Sequence, residues 1–252
     1  MSQVNRDVLT QYLNELLKPE GFKDYCPNGL QVEGRDEIRR LVCGVTANQA
    51  LLDLALAEQA DAILVHHGWF WRGESGAVTG IKRNRLKTVL SNDINLYAYH
   101  LPLDAHPTLG NNAGLARALG WTQTTTFGEQ GLGCLGIPET DATVDSITAD
   151  LEKALGRAPF VIAQSGDQPI CRPAWCTGGA QSYFEAAIAA GADAFITGEV
   201  SEPMVHLARE TGVAYFAAGH HATERFGVQA LGLRLEDRFG IDVRYLEVDS
   251  PV

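Results

Sequence analysis

Five residues far apart in this 252-residue chain have side chains of the types that ligate metal ions: His66, His67, Asp104, His220 and Glu224. Imidazole nitrogen and carboxylate oxygen are the mixed donors that iron, manganese, zinc, cobalt and nickel accept. Three imidazoles and two carboxylates are too many for one tetrahedral catalytic ion. They suit two divalent ions about 3.5–4 Å apart that share a carboxylate. Acids gathered in a cleft repel each other and are costly to desolvate, and cations offset both effects. Of the seven histidines, His66, His67, His100, His220 and His221 stand in three short motifs, which separates them from ordinary core histidines. His100 and His221 suit supporting roles, turning a ligand through its other ring nitrogen or moving a proton. Glu199 is open between orienting a ligand, acting as general base and lying in a solvated loop. His106 and His206 read as hydrogen-bonded structural residues.

Spacing decides what must position these groups. Adjacent His66 and His67 point to opposite sides of an extended chain, so either a bend where their strand ends brings both to metal or each serves one ion. His220 and Glu224 are four apart and share a face if a helix starts at His220. The same interval from His100 to Asp104 contains Pro102, which predicts an irregular turn.

Each motif follows an apolar strand. Helix is predicted from Arg6 to Lys18, with Leu9, Tyr12, Leu13, Leu16 and Leu17 on one face. The stretch DYCPNGLQVE (24–33) reads as a loop or tight hairpin. Strand is predicted at Leu41–Thr46, helix at Gln49–Glu58 and strand at Ala62–Val65, followed by His66-His67. A basic helix near Lys82–Leu90 leads to strand Ile94–Tyr99, followed by His100 and Asp104. In the middle, Gly131–Ile137 and Phe160–Ala163 read as strands, with a helix over Val144–Leu155 closed by Gly156. Alternating strands and helices imply an α/β fold with mixed sheets and chemistry at the carboxyl ends of strands.

The chain also repeats itself. Ala55–Ala62 lies over Ala187–Ala194, so that Gln49 falls on Gln181 and strand Ile63–Val65 on Phe195–Thr197. Strand Ile94–Tyr99 lies over Ala214–Gly219, His100 over His220 and Asp104 over Glu224. Two related α/β lobes follow, residues 1–125 and 126–252, with the two-metal cleft expected between them.

The formal charge of −11 disfavours nucleic acid and anionic membrane as partners. Hydrophobic residues at 45% with 20% charged are globular usage, not disorder. The five cysteines form neither a Cys-x-x-Cys nor a disulfide framework, and small buried thiols are expected. The amino terminus has no basic-then-apolar leader pattern, and no apolar run of about 18 residues exists. A cytoplasmic location is the expectation. Lys82, Arg83, Arg85 and Lys87 form the dense basic run, either a solvated face, a phosphate site or an oligomer contact. Trp69, Phe70 and Trp71 are open between stacking on a substrate, covering the cleft and filling core. Gly178-Gly179 lacks the full phosphate-loop pattern.

Six stretches, DYCPNGLQVEG (24–34), VHHGWFW (65–71), KRNRLKTVLSNDINLYAYHLPLDAHP (82–107), GNNAGLARALG (110–120), DAFITGEVSE (193–202) and AAGHHATERFG (217–227), resemble the NIF-three-like family. Its bacterial members are commonly labelled GTP cyclohydrolase 1 type 2 homologs. The resemblance runs over nearly the whole chain and is to the short bacterial form. It implies two α/β lobes, a toroidal homohexamer and two metal ions held by His66, His67, Asp104, His220 and Glu224. The label implies hydrolytic opening of a guanine ring, although a fold transfers better than a reaction. The expected function is metal-dependent hydrolysis of a nucleotide or related heterocycle. The alternatives are a non-enzymatic metal-binding ring, serving as store or protein scaffold, and redox chemistry at two irons.

Overall fold

The computed structural model describes residues 2–252. In chain order the first elements are β1 (Val4–Asn5), α1 (Arg6–Leu17), β2 (Gly29–Val32), β3 (Glu37–Ile38), β4 (Arg40–Thr46), α2 (Gln49–Ala57), β5 (Ala62–His67), α3 (Gly80–Leu90) and β6 (Asn95–Ala98). Then come α4 (Leu101–Ala105), α5 (Asn111–Leu119), β7 (Trp121–Phe127), β8 (Gly133–Pro138), β9 (Ala142–Thr143), α6 (Val144–Leu155), β10 (Phe160–Ile162), β11 (Pro169–Ile170) and β12 (Pro173–Trp175). The last are α7 (Phe184–Ala189), β13 (Ala194–Thr197), α8 (Glu202–Thr211), β14 (Ala214–Ala217), α9 (His220–Thr223), α10 (Arg225–Phe239) and β15 (Asp242–Tyr245). Among the described residues, no helix is long and apolar enough to cross a membrane.

The chain forms two compact units, one up to Leu103 with Gly227–Asp249, the other Asp104–Phe226 with Ser250–Val252. This division differs from the boundary expected near residue 125. The chain crosses inside α4 and returns inside α10, within regular elements and not in an exposed linker of the kind that marks a boundary in sequence.

In the first unit β4, β5 and β6 are parallel neighbours, with β15 parallel outside β4 and β2 antiparallel outside β6. The central strands are buried on both faces, which is why they read as continuous apolar runs. One face packs Val42, Ile63, Val65 and Leu96 against Leu51, Leu52 and Ala55 of α2 and Val89 of α3. On the other face the Tyr97 hydroxyl meets Thr10 of α1 at 2.8 Å, and the Tyr99 hydroxyl donates to Asn14 at 2.7 Å. Asn48 starts α2 by accepting from the Leu51 N–H. Asp61 fixes the entry to β5, its carboxylate accepting from the Arg39 and Arg40 N–H groups and from Arg35. Strand β2 lies within the stretch expected to be a loop or hairpin. Its partner is β6, more than sixty residues away, so no local turn signal announces it.

The second unit has the sheet order β10-β14-β13-β12-β8-β7, with β12, β13 and β14 parallel and the other neighbours antiparallel. Its core sets Trp175, Ile196 and Phe216 of the sheet against Leu115 and Leu119 of α5 and Ile147 and Leu151 of α6. Helix α6 matches its expected range. Thr143 and Ser146 form a reciprocal capping box, and Gly156 ends the helix in the left-handed region.

The internal repeat is visible in this topology. Both units order their strands third-second-first in parallel, β6-β5-β4 and β14-β13-β12, with an antiparallel strand, β2 or β10, beyond the third. The helices follow suit: α2 and α7 after the first strand, α3 and α8 after the second, α4 and α9 after the third. The fold is α/β with two related lobes and mixed sheets.

Candidate metal centre

In the first unit the strand ends gather three imidazoles. His66, His67 and His100 each place a ring nitrogen within 4.8 Å of the others, and the His66 and His67 ring centroids are 4.6 Å apart. Of the two arrangements open for the pair, the chain is extended and not bent at His67. Strand β5 continues through it, with Thr46 of β4 as its register partner. The Thr46 hydroxyl lies 3.2 Å from His67 Nδ1. His66 is fully buried, and its Nδ1 donates to the Tyr99 carbonyl at 3.0 Å. A carbonyl only accepts, so this bond puts the His66 proton on Nδ1 and its lone pair on Nε2.

His100 is held by the loop before β2. Its Nδ1 is 2.7 Å from Asp24 Oδ1, while its backbone N–H donates to Asn28 Oδ1 at 2.7 Å. Asp24 also accepts from the Leu101 N–H at 3.0 Å and from the Asn28 amide at 2.9 Å. Burial alone would raise the Asp24 pKa; the hydrogen bond and charge of His100 outweigh it and hold it at about 2. Trp71 stands edge-on to His100, with centroids 5.0 Å apart, whereas Trp69 is buried and donates its indole N–H to the Ala47 carbonyl. Of the aromatic triplet, Trp69 is therefore core and Trp71 lies against the imidazole cluster.

In the second unit the acids are buried: Asp104 is 8% and Glu224 3% exposed, with carboxylate oxygens within 4.8 Å of each other. Pro102 does not disrupt the turn leading to Asp104. It occupies the first turn of α4, where its missing N–H has no partner to lose. Asp104 Oδ1 accepts from the Asn111 amide at 2.8 Å, and the Thr177 hydroxyl stands 3.5 Å away. The helix expected from His220 exists as the single turn α9. Glu224 is the joint to α10, at φ −105° and ψ 7°. His220 Nε2 still lies 3.2 Å from Glu224 Oε2.

His220 Nδ1 is 2.7 Å from Glu199 Oε1, and Glu199 is held in turn by Gln181 at 3.3 Å. Burial opposes the His220 charge, but Glu224 and Glu199 outweigh it and raise its pKa to about 9. Glu199, left open between three roles in the sequence, is the group that orients His220. His221 is half-buried, with its backbone N–H on the Val252 carbonyl. Gly178, at φ +73°, leaves room for these ligands, since a Cβ there would run into Glu224 Oε1. That close approach accounts for the glycine pair without a phosphate. Cys176, buried nearby, has its thiol pKa driven up by burial and by Asp104, Cys134 and Glu224, so it stays protonated.

The donors suit divalent ions: neutral imidazoles turned by Nδ1 contacts in one unit, and carboxylates beside an oriented imidazole in the other. Asp24, Asn28, Asn111 and Thr177 escaped the sequence reading. Asp24, Asn28 and Thr177 act through partners more than seventy positions away, and Asn111 reaches Asp104 from the next helix, so no local pattern marks them. Of the five cysteines, Cys26, Cys43, Cys134 and Cys176 are buried as expected and Cys171 is exposed.

Known proteins extend this picture. A sequence model of the Duf34/NIF3 (NGG1p interacting factor 3) family matches residues 4–251. The chain is 53% identical over 244 residues to a Yersinia pestis protein named GTP cyclohydrolase 1 type 2 homolog, covering 96% of this chain and 98% of that one. A Pseudomonas aeruginosa protein of the same name is 52% identical over 250 residues, covering 96% and 97%. Among solved structures, protein ybgI, of unknown function, superposes with a TM-score of 0.95 at 48% identity, covering 99% of this chain and 100% of that one. TTHA1606 from Thermus thermophilus gives 0.89 at 35% identity, with the same coverage. On sequence and on fold alike, the chain belongs to the Duf34/NIF3 family.

Proposed function

We propose that the protein holds a pair of divalent metal ions through His66, His67, Asp104, His220 and Glu224, and that the centre hydrolyses a nucleotide or related heterocycle. The observation that carries this reading is the shared orientation of three proposed ligands. His66, His67 and His220 are each engaged through Nδ1, by the Tyr99 carbonyl, the Thr46 hydroxyl and the Glu199 carboxylate. Such contacts aim Nε2 at a metal and make it a better donor. The name borne by the relatives, GTP cyclohydrolase 1 type 2 homolog, supports the substrate class.

When bound, two such ions supply Lewis acidity and make water a stronger nucleophile near neutral pH. His66, Asp104 and Glu224 are each buried, and electrostatic interactions are stronger away from water. His100 is the proposed proton carrier: Asp24 fixes its ring, while His66 and His67 lie beside it. Glu199 acts through His220 as a positioning residue, and His221 is a further proton donor or acceptor at the same helix start. The family resemblance adds a homohexamer and a cytoplasmic location to the proposal.

Metal-loaded protein is expected to turn over a member of a panel of nucleotides, cyclic nucleobases and phosphoesters. In Glu224→Gln, turnover should fall by about 100-fold or more while the circular dichroism spectrum is kept. Full metal loading with no turnover across the panel would instead support a metal store or scaffold.

A further inference from the structure

The basic run of α3 has no part in the proposed centre. Its first two turns open onto a cavity of about 310 Å³ in the first unit, lined by Trp69, Glu74, Ala77, Ile81, Lys82 and Arg85 among others. That volume lies at the small end of the range for small-molecule pockets, roughly 300–1,000 Å³.

Its chemistry is that of an anion site with an apolar wall. Arg85 Nε is buried and has no hydrogen-bond partner among the described residues, a costly state for a charged donor unless a ligand satisfies it. The Lys82 ammonium donates to the Ser75 carbonyl at 2.9 Å and lies 4.0 Å from Glu74 Oε2. With three donor hydrogens, it keeps capacity for another acceptor. The amino end of α3 adds to the field: Thr79 makes no side-chain cap and the first turn has no acid. Glu74, 44% exposed at its side chain, is the opposing carboxylate in the lining, against two cations. Ile81, 70% exposed, together with Ala77 and Trp69 forms the apolar side.

We propose that this cavity binds a small molecule carrying a phosphoryl group on an apolar or planar body. Arg85, Lys82 and the first N–H groups of α3 would hold the oxygens, a donor set matched to a multiply charged oxyanion. The body would lie against Ile81, Ala77 and Trp69. All these residues belong to the first unit, and none is a proposed metal ligand, so the site stands independently of the metal reading.

Calorimetric titration of the chelator-treated full-length protein tests this, with AMP, adenosine and inorganic phosphate as probes. AMP is expected to bind, and adenosine and phosphate to bind at least about tenfold more weakly. Arg85→Gln and Lys82→Gln should each weaken AMP binding by about tenfold, whereas Arg83→Gln, on the exposed face of the same helix, should not. Lys82→Gln keeps the test decisive if Arg85→Gln fails to fold. The proposal is overturned by equal AMP affinity in all three variants, by no AMP binding up to millimolar concentration, or by binding that appears only with metal present. Metal content measured on the same variants separates the two readings, since it should not change in any of them.

Discussion

At His220, Glu199 lies on one ring nitrogen and Glu224 on the other, so the metal-free site keeps a proton where a cation would sit. The pKa is raised from 6.5 to about 9 against the effect of burial. A group with a raised native pKa stabilises the fold fully below its unfolded pKa and loses that contribution as pH rises through the native value. Chelator-treated protein should therefore lose thermal stability between about pH 6.5 and pH 9, and Glu199→Gln should flatten the loss. Metal must displace the same proton, so affinity should rise with pH over that window. Differential scanning calorimetry at several pH values measures the first effect, and a flat profile for the metal-free protein would contradict it. Glu199→Gln should also lower metal affinity by about 10–100-fold with the fold intact, as loss of an orienting hydrogen bond does. The five proposed ligands stand out in the sequence by their types and motifs. Asp24 does not, because its partner His100 is 76 positions away and only folding brings them together.

Elements position these residues through their ends. Parallel strands with helical crossovers put His66-His67 at the end of β5, and His100-Asp104 and His220–Glu224 just past β6 and β14. The strands were legible because burial on both faces makes them apolar throughout, and α6 because a capping residue and a left-handed glycine bracket it. Helix α10 was not. Leu233 is 67% exposed and Gly227 and Gly232 are buried within it, so its apolar stripe is blurred. At Gly232, a Cβ would stand 2.9 Å from Cys43 Sγ, so close packing on β4 fixes the residue. The loop after β12 sets the room around Glu224. Gly178→Ala would combine strain at φ +73° with a collision at the carboxylate. The expected result is a loss of about 1–3 kcal/mol in urea unfolding together with reduced metal content. Wild-type stability and loading in that variant would show that Glu224 has slack.

For the whole molecule, the repeat and the fold class were legible, and the division between units was not, because the chain changes unit inside α4 and α10. The proposed homohexamer predicts a light-scattering mass of about six times 27.3 kDa, and a monomer mass would remove it. Metal bound to the native state should raise the melting temperature, and chelator should lower it. The most direct measurement is elemental analysis of protein purified without added metal, made on the wild type, His66→Ala and Glu224→Gln. About two equivalents per chain are expected in the wild type, with a marked fall in each variant, although one substitution lies in each unit. Metal content unaffected by both substitutions, or a wild type that takes up no divalent ion, would contradict the proposed centre.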